Sequence, residues 1–106
     1  MTIEEIVGEV EKAFPGHRGV LLPPKHAAGE YIIEGVALKG VDPRRVTLRV
    51  LCQIYDDRSD NERRFDDKVS EAIARMKVEG AAELYTDSEG ILGERSSSHR
   101  VPIGSP

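Results

Sequence analysis

The alternation of apolar and polar positions is strongest between Arg45 and Tyr55. Every second position there is apolar, and these residues are Val46, Leu48, Val50, Cys52 and Ile54. A period of two predicts a β-strand with one face against a core. Because Cys52 falls on that buried face, it is interpreted as an ordinary core residue in a reducing compartment. We therefore expect one long strand over residues 45–55.

A helix with one apolar face is predicted after that strand. The loop 56–59 ends the strand, and the helix is expected to begin near Asp60. Its apolar positions follow the three-and-four spacing of a helical stripe, and they are Phe65, Val69, Ala72, Ile73 and Met76. Gly80 is the expected C-cap.

The chain begins with a second amphipathic helix. Thr2 and Glu5 are spaced as a capping box, in which each side chain accepts a hydrogen bond from the other residue's backbone amide. The apolar face is formed by Ile3, Ile6, Val7, Val10, Ala13 and Phe14. Pro15 and Gly16 predict the end of this helix.

Further strands are predicted on both sides of the long one. The run 19–22 is at best a short edge strand, because Pro23 and Pro24 cannot donate ladder bonds. Residues 31–38 predict a strand that forms a hairpin with 45–55. Ile32, Val36 and Leu38 are expected on one face of this strand, where Ile33 breaks the alternation, and Gly35 indicates a bulge or a close backbone approach. Residues 82–85 and 91–95 predict a last hairpin.

Together these elements predict an α+β fold. Two helices pack on a mostly antiparallel sheet, in the order helix, hairpin, helix, hairpin. Residues 1–95 are expected to form one domain, and residues 96–106 an extended C-terminal arm. Val101 and Ile103 would give the arm two apolar anchors for strand addition to a neighbour's sheet edge. The alternative for this segment is a frayed terminus.

Composition and charge exclude several classes of protein. The 106 residues carry a formal charge of −4, whereas a dedicated nucleic-acid binder needs a basic excess to release counterions from phosphates. No apolar run approaches a membrane span, and the start of the chain is unlike a signal peptide. We expect a protein made in a cytoplasm and not inserted in a membrane.

Candidate chemistry is sparse. His17, His26 and His99 are far from one another in the sequence, whereas zinc ligands occur in close pairs. The acidic group Asp56, Asp57, Asp60 and Glu62 does not fit a calcium loop, and helix capping with a favourable helix-dipole charge explains it. We assign no catalytic, cofactor-binding or metal-binding residue, and we expect no enzymatic activity.

The order of elements resembles the tail terminator (tail-to-head joining) proteins of long-tailed bacteriophages. The likeness is carried by residues 45–54, which read RVTLRVLCQI, followed by the helix from Asp60 to Met76. A short polar loop joins the two, as it does in that family.

The resemblance implies a structural virion protein of the tail and neck. Its subunits would form a homo-oligomer, a six-membered ring at the head-proximal end of the tail tube. The ring would bind the major tail tube protein, stop its polymerisation and present a surface to a neck or head-completion protein. DNA would pass through the lumen only. The expected interface residues are Lys25, His26, Arg95, His99 and Arg100.

Two other functions fit the same pattern. One is a different ring component of the neck or tail, such as a stopper or a tube subunit. The other is a small cytoplasmic ligand-binding or adaptor module with a pocket near Tyr31 and Tyr55. A hydrolase or nuclease that uses Asp56, Asp57 and Asp60 is the least favoured alternative.

Overall fold

The computed structural model describes residues 1–22, 29–38 and 45–96. The helices are α1 (Ile3–Ala13), α2 (Cys52–Asp56) and α3 (Glu62–Glu79), and a 3₁₀ turn (Arg58–Asn61) precedes α3. The strands are β1 (His17–Leu21), β2 (Glu30–Ala37), β3 (Val46–Leu51), β4 (Ala81–Thr86) and β5 (Leu92–Arg95). Within the described ranges these strands form one sheet in the order β1-β2-β3-β4-β5.

The sheet is antiparallel except at its centre. β1, β2 and β3 form one antiparallel set, and β4 with β5 forms the predicted last hairpin. β3 and β4 run parallel and are connected through α2 and α3. The prediction of an α+β fold with a mostly antiparallel sheet is confirmed. The division into a domain over 1–95 and an arm over 96–106 stays a prediction, since residues 97–106 lie outside the described ranges.

The capping box at the start of α1 is confirmed. The Thr2 hydroxyl accepts a hydrogen bond from the Glu5 amide at 3.2 Å, and the Glu5 carboxylate accepts one from the Thr2 amide at 2.7 Å. This reciprocal bonding favours the charged carboxylate, and the pKa of Glu5 is lowered from 4.5. Gly16 has φ 87°, which is the left-handed turn expected after the helix.

Two glycines allow close packing in the sheet, against α1 at Gly19 and against β3 at Gly35. A Cβ added at Gly19 would come within 2.8 Å of the carbonyl oxygen and a methyl group of Val7. A Cβ at Gly35 would come within 2.6 Å of a Val46 methyl group. The register through Gly35 is continuous with both neighbouring strands, so the predicted bulge is absent, and the atoms nearest the added Cβ belong to the side chains of Val46, His17 and Val10 and not to the backbone.

The prediction of a strand to Tyr55 is wrong, because β3 ends at Leu51 and α2 follows at once. The Cys52 amide donates to the Gly29 carbonyl at 2.7 Å as the chain leaves the sheet. Ile54 is still buried, because one helical turn returns it to the same core. Cys52 is half-buried at the start of α2, so its predicted place on a buried strand face is also wrong.

Ile32 and Val36 share one face of β2, as predicted, but the opposite face packs on the core. The fully buried residue is Ile33, and Gly35 is buried with it. Ile32 and Val36 point away from the core, and Leu38 is exposed. Both faces of this strand are apolar, so alternation could not identify the inner one; the contact of α1 at Gly35 does.

The predicted core stripe of α3 is confirmed, and so is its predicted start near Asp60. Phe65, Val69, Ala72, Ile73 and Met76 are all buried. The helix begins at Glu62, and the N-cap is Asn61, whose side chain accepts from the Arg64 amide at 3.1 Å. The acidic group therefore does not supply the cap. Gly80 closes the helix with φ 84°, as predicted.

Candidate functional site

The expected interface residues lie mostly outside the described ranges. Lys25 and His26 fall in residues 23–28, and His99 and Arg100 fall in residues 97–106. Arg95 is described, at the end of β5. Its guanidinium donates to the Glu83 carboxylate at 3.3 Å and lies over the Tyr85 ring, 4.2 Å from the centroid.

Arg95 lies on the face of the sheet that α1 and α3 do not cover, which we call the second face. The helices pack on the other face, where Ile33, Leu48, Ala82 and Leu84 join the core. By alternation, the second face carries Val20, Ile32, Val36 and Tyr85. These four side chains are only half-buried within the described part of the chain.

Oppositely charged residues alternate across the second face. Arg49 pairs with Glu30 at 3.1 Å, and Arg45 pairs with Glu34 at 3.7 Å. Arg49 is also the strand neighbour of Glu83. The Glu83 side chain is only 8% exposed, and those of Arg49 and Glu30 are 14% and 13% exposed. Charges so poorly hydrated are stable only when paired, so this face is an ordered ionic surface.

A cleft opens where the parallel strands β3 and β4 end. It encloses about 620 Å³. Its floor is apolar and is formed by Leu51, Ile54, Phe65, Ile91 and Leu92. Leu51 is 39% exposed and Ile91 is 49% exposed, so the floor is in contact with solvent.

The rim of the cleft carries both signs of charge. Arg58 donates to the Tyr55 carbonyl at 2.9 Å, and its guanidinium lies 3.9 Å from the Tyr55 ring centroid. Arg64 donates to the Leu92 carbonyl at 3.1 Å. Asp57 and Asp60 complete the rim, and both residues are exposed. Within the described ranges neither carboxylate forms an ion pair.

The two tyrosines expected to mark a pocket support the core instead. Their rings pack edge to face, with 5.2 Å between centroids. The Tyr55 hydroxyl accepts a hydrogen bond from the Ile3 amide at 2.9 Å. Burial raises the pKa of the Tyr31 phenol. Neither residue lines the cleft.

The wall of the cleft formed by β5 is fixed to α3 by a two-pronged ion pair. The Arg75 guanidinium binds both oxygens of the Glu94 carboxylate, with one contact at 3.0 Å. It also donates to Glu79 at 2.8 Å. These hydrogen bonds raise the pKa of Arg75. Such a fork limits movement of β5 relative to the helix.

Sequence patterns did not identify the cleft. Its floor comes from three separate stretches, 51–54, 65 and 91–92. Leu51 ends a strand and Ile91 precedes one, and neither belongs to a motif. The available signal was an apolar residue at a position otherwise typical of the surface, as at Ile91 after Gly90. Such single residues are common on protein surfaces.

Within the described ranges, no group of three or more His, Cys, Asp or Glu side chains is placed to hold a metal ion. None of the described helices has the length and apolar composition of a bilayer span.

No family model, curated protein or solved structure matches this chain. The likeness to tail terminators therefore depends on residues 45–76 and on the order of elements alone.

Proposed function

We propose that this chain is a tail terminator of a long-tailed bacteriophage. Six copies would form a ring at the head-proximal end of the tail tube, where the ring stops tube polymerisation and joins the tail to the neck. In this proposal the protein is a structural component of the virion and has no catalytic role.

The observation that carries the proposal is the composition of the second face. Half-buried Val20, Ile32 and Val36 lie there beside paired arginines and glutamates. Tyrosine and arginine are the residue types enriched in the cores of protein interfaces, and Tyr85 with Arg95 supplies both. A sheet that the described helices cover on one side can use its other side for association with a neighbouring subunit.

The arm and the loops would complete the assembly. Residues 96–106 would contact a neighbouring copy, and Lys25, His26, His99 and Arg100 would contribute to contacts with the ring, tube or neck. Arg95 would act together with Glu83, since the two already form an ion pair. A net charge of −4 would limit adhesion of DNA to the lumen.

Tube growth provides the test. The full chain is added to the tail tube protein of the same genome as that protein polymerises, and tube lengths are measured by electron microscopy. We expect tubes that end in a ring and grow no further. Tubes that reach the same length with and without excess protein would overturn the proposal.

A matched pair of variants connects this result to the second face. Val36→Asp places a charge on that face, and Val78→Asp makes the same change at an exposed position of α3. We expect Val36→Asp to abolish termination and Val78→Asp to retain it. The same micrographs distinguish the two alternative ring components. A tube subunit would be found along the whole tube, whereas a stopper would bind only a completed tail.

The cleft favours a second candidate, a small ligand-binding or adaptor module. Its volume of about 620 Å³ lies within the range of small-molecule sites. This candidate predicts a monomer that has no effect on tube length and is stabilised against heat by a small apolar ligand.

A further inference from the structure

The cleft presents an apolar surface beside the ends of β3 and β4. Four large apolar side chains of the described chain are exposed, and two of them, Leu51 and Ile91, lie in its floor. Exposed apolar side chains gathered in a concavity are typical of a surface that a partner covers. Filling the floor with aliphatic side chains would remove this apolar area from water.

We propose that the cleft receives residues 99–103 of a second copy of this chain. The inference rests on the proposed ring, in which copies meet repeatedly. The segment reads His-Arg-Val-Pro-Ile, so two aliphatic side chains follow a basic pair. Pro102 has no amide hydrogen and weakens ladder pairing. Its position between Val101 and Ile103 favours insertion of their side chains into the cleft over strand addition at a sheet edge.

The charges of the rim match this occupant. Arg58 and Arg64 are each held by a backbone carbonyl. Asp57 and Asp60 form no ion pair within the described ranges, which leaves their carboxylates for a basic partner. His99 and Arg100 precede the two aliphatic side chains and would lie at the rim when these fill the floor. Opposite charges so placed fix the direction of an inserted segment.

The topology explains why the arm would reach a neighbour. The first turn of α3 lines the cleft through Arg64, whereas the Ser96 hydroxyl binds Glu79, the last residue of α3. Leu92 lines the cleft, and β5 runs from it away from the cleft over about 13 Å to Ser96. The arm therefore starts at the end of α3 remote from the cleft, and it would have to reverse direction to enter its own cleft.

A contact between unlike ends of identical subunits repeats from copy to copy. Such a head-to-tail contact produces a closed ring when the rotation between subunits closes. The arm in the cleft would thus be the joint between neighbours in the ring.

Cross-linking of full-length variants tests the contact. Cys52→Ser removes the native thiol, and Ile91→Cys and Ile103→Cys are introduced in separate chains. The two chains are mixed with the tube protein and treated with a short bismaleimide. We expect a covalent dimer, and no dimer when Val78→Cys replaces Ile91→Cys. Absence of the dimer, or an internally linked monomer from a chain carrying both cysteines, would overturn the proposal.

Charge-reversal variants of the full-length chain, without added cysteines, give a second test through self-association. Asp60→Arg or Arg100→Asp alone should weaken self-association about tenfold, measured by sedimentation in the presence of the tube protein. The double variant should recover the original association, and failure to recover would count against the contact. Circular dichroism verifies that each variant is folded.

The tube assay separates the two proposals. Tubes that terminate normally without the 91–103 cross-link would overturn the arm contact and leave the terminator function standing. A cross-link without termination would support the arm contact and overturn the terminator function.

Discussion

The Tyr55 hydroxyl accepts a hydrogen bond from the Ile3 amide at 2.9 Å, and this contact joins α2 to the first turn of α1. The first amides of a helix have no partner within the helix. Tyr55 supplies one from a segment 52 residues away.

Removal of that hydroxyl should destabilise the fold. We expect Tyr55→Phe to lower the free energy of unfolding by about 1 kcal/mol, because the Ile3 amide loses its acceptor in a partly buried position. Urea denaturation measures the change. Tyr85→Phe is the control, since the Tyr85 hydroxyl forms no hydrogen bond in the described part of the chain and its ring still stacks with Arg95. Equal effects from both variants would contradict this role for Tyr55.

Glycine substitutions should act in opposite directions. Gly35→Ala places a methyl group 2.6 Å from Val46, and overpacking of this kind costs about 1–3 kcal/mol. Gly8→Ala meets nothing within 4 Å on α1, where alanine favours the helix by about 1 kcal/mol. Thermal unfolding should show a lower midpoint for the first variant and a higher one for the second. A Gly35→Ala variant as stable as the parent would refute the tight packing of Val46 against Gly35.

The ion pair of Arg49 and Glu30 should be energetically coupled. Both side chains are largely buried, so we expect a coupling of about 1–3 kcal/mol between Arg49→Met and Glu30→Gln in a double-mutant cycle. The exposed pair of Lys12 and Glu9 is the matched control, with about 0.3 kcal/mol expected. Chemical denaturation of the two cycles measures both values. Similar couplings would show that the second face is as well hydrated as an ordinary surface.

The contribution of Glu5 to stability should depend on pH. Its folded-state pKa lies below the ordinary 4.5 because the Thr2 amide binds the charged carboxylate. A lowered pKa means that the contribution is present above the ordinary value and is lost as the pH falls through the folded value. The difference in unfolding midpoint between the parent and Glu5→Gln should therefore shrink as the pH is lowered below 4.5. A difference that stays constant with pH would rule out this source of stability.

Sequence patterns correctly predicted the helices that bury a single apolar face and two of the residues that cap them. The stripe from Phe65 to Met76, the capping box at Thr2 and the cap at Gly80 depend on local spacing alone, and all three are present. Patterns failed where tertiary contacts decide the outcome. A continued strand would bury Ile54, and the helical turn of α2 buries it as well, so its burial does not distinguish the two. On β2 the packing of α1 decides that Ile33, and not Ile32, faces the core.

The cleft could not be predicted for a similar reason. Leu51, Phe65 and Ile91 become neighbours only when β3 and β4 pair in parallel. That pairing depends on the path of residues 52–80, which no local pattern specifies. The interface role of Arg95 follows from the resemblance and stays a prediction, whereas its ion pair with Glu83 on the neighbouring strand was not anticipated.

The parallel pair of β3 and β4 also separates the sheet into two groups of strands, β1 to β3 and β4 with β5. β1, β2 and β3 are consecutive in the chain, and so are β4 and β5. β3 and β4 are separated by residues 52–80, so the loop-closure entropy of this long connection opposes their pairing. Folding should thus proceed as two locally assembled halves that meet late. Under tension the sheet should part first along this central seam, and α3, which contacts β3, β4 and β5, is the element that resists the separation.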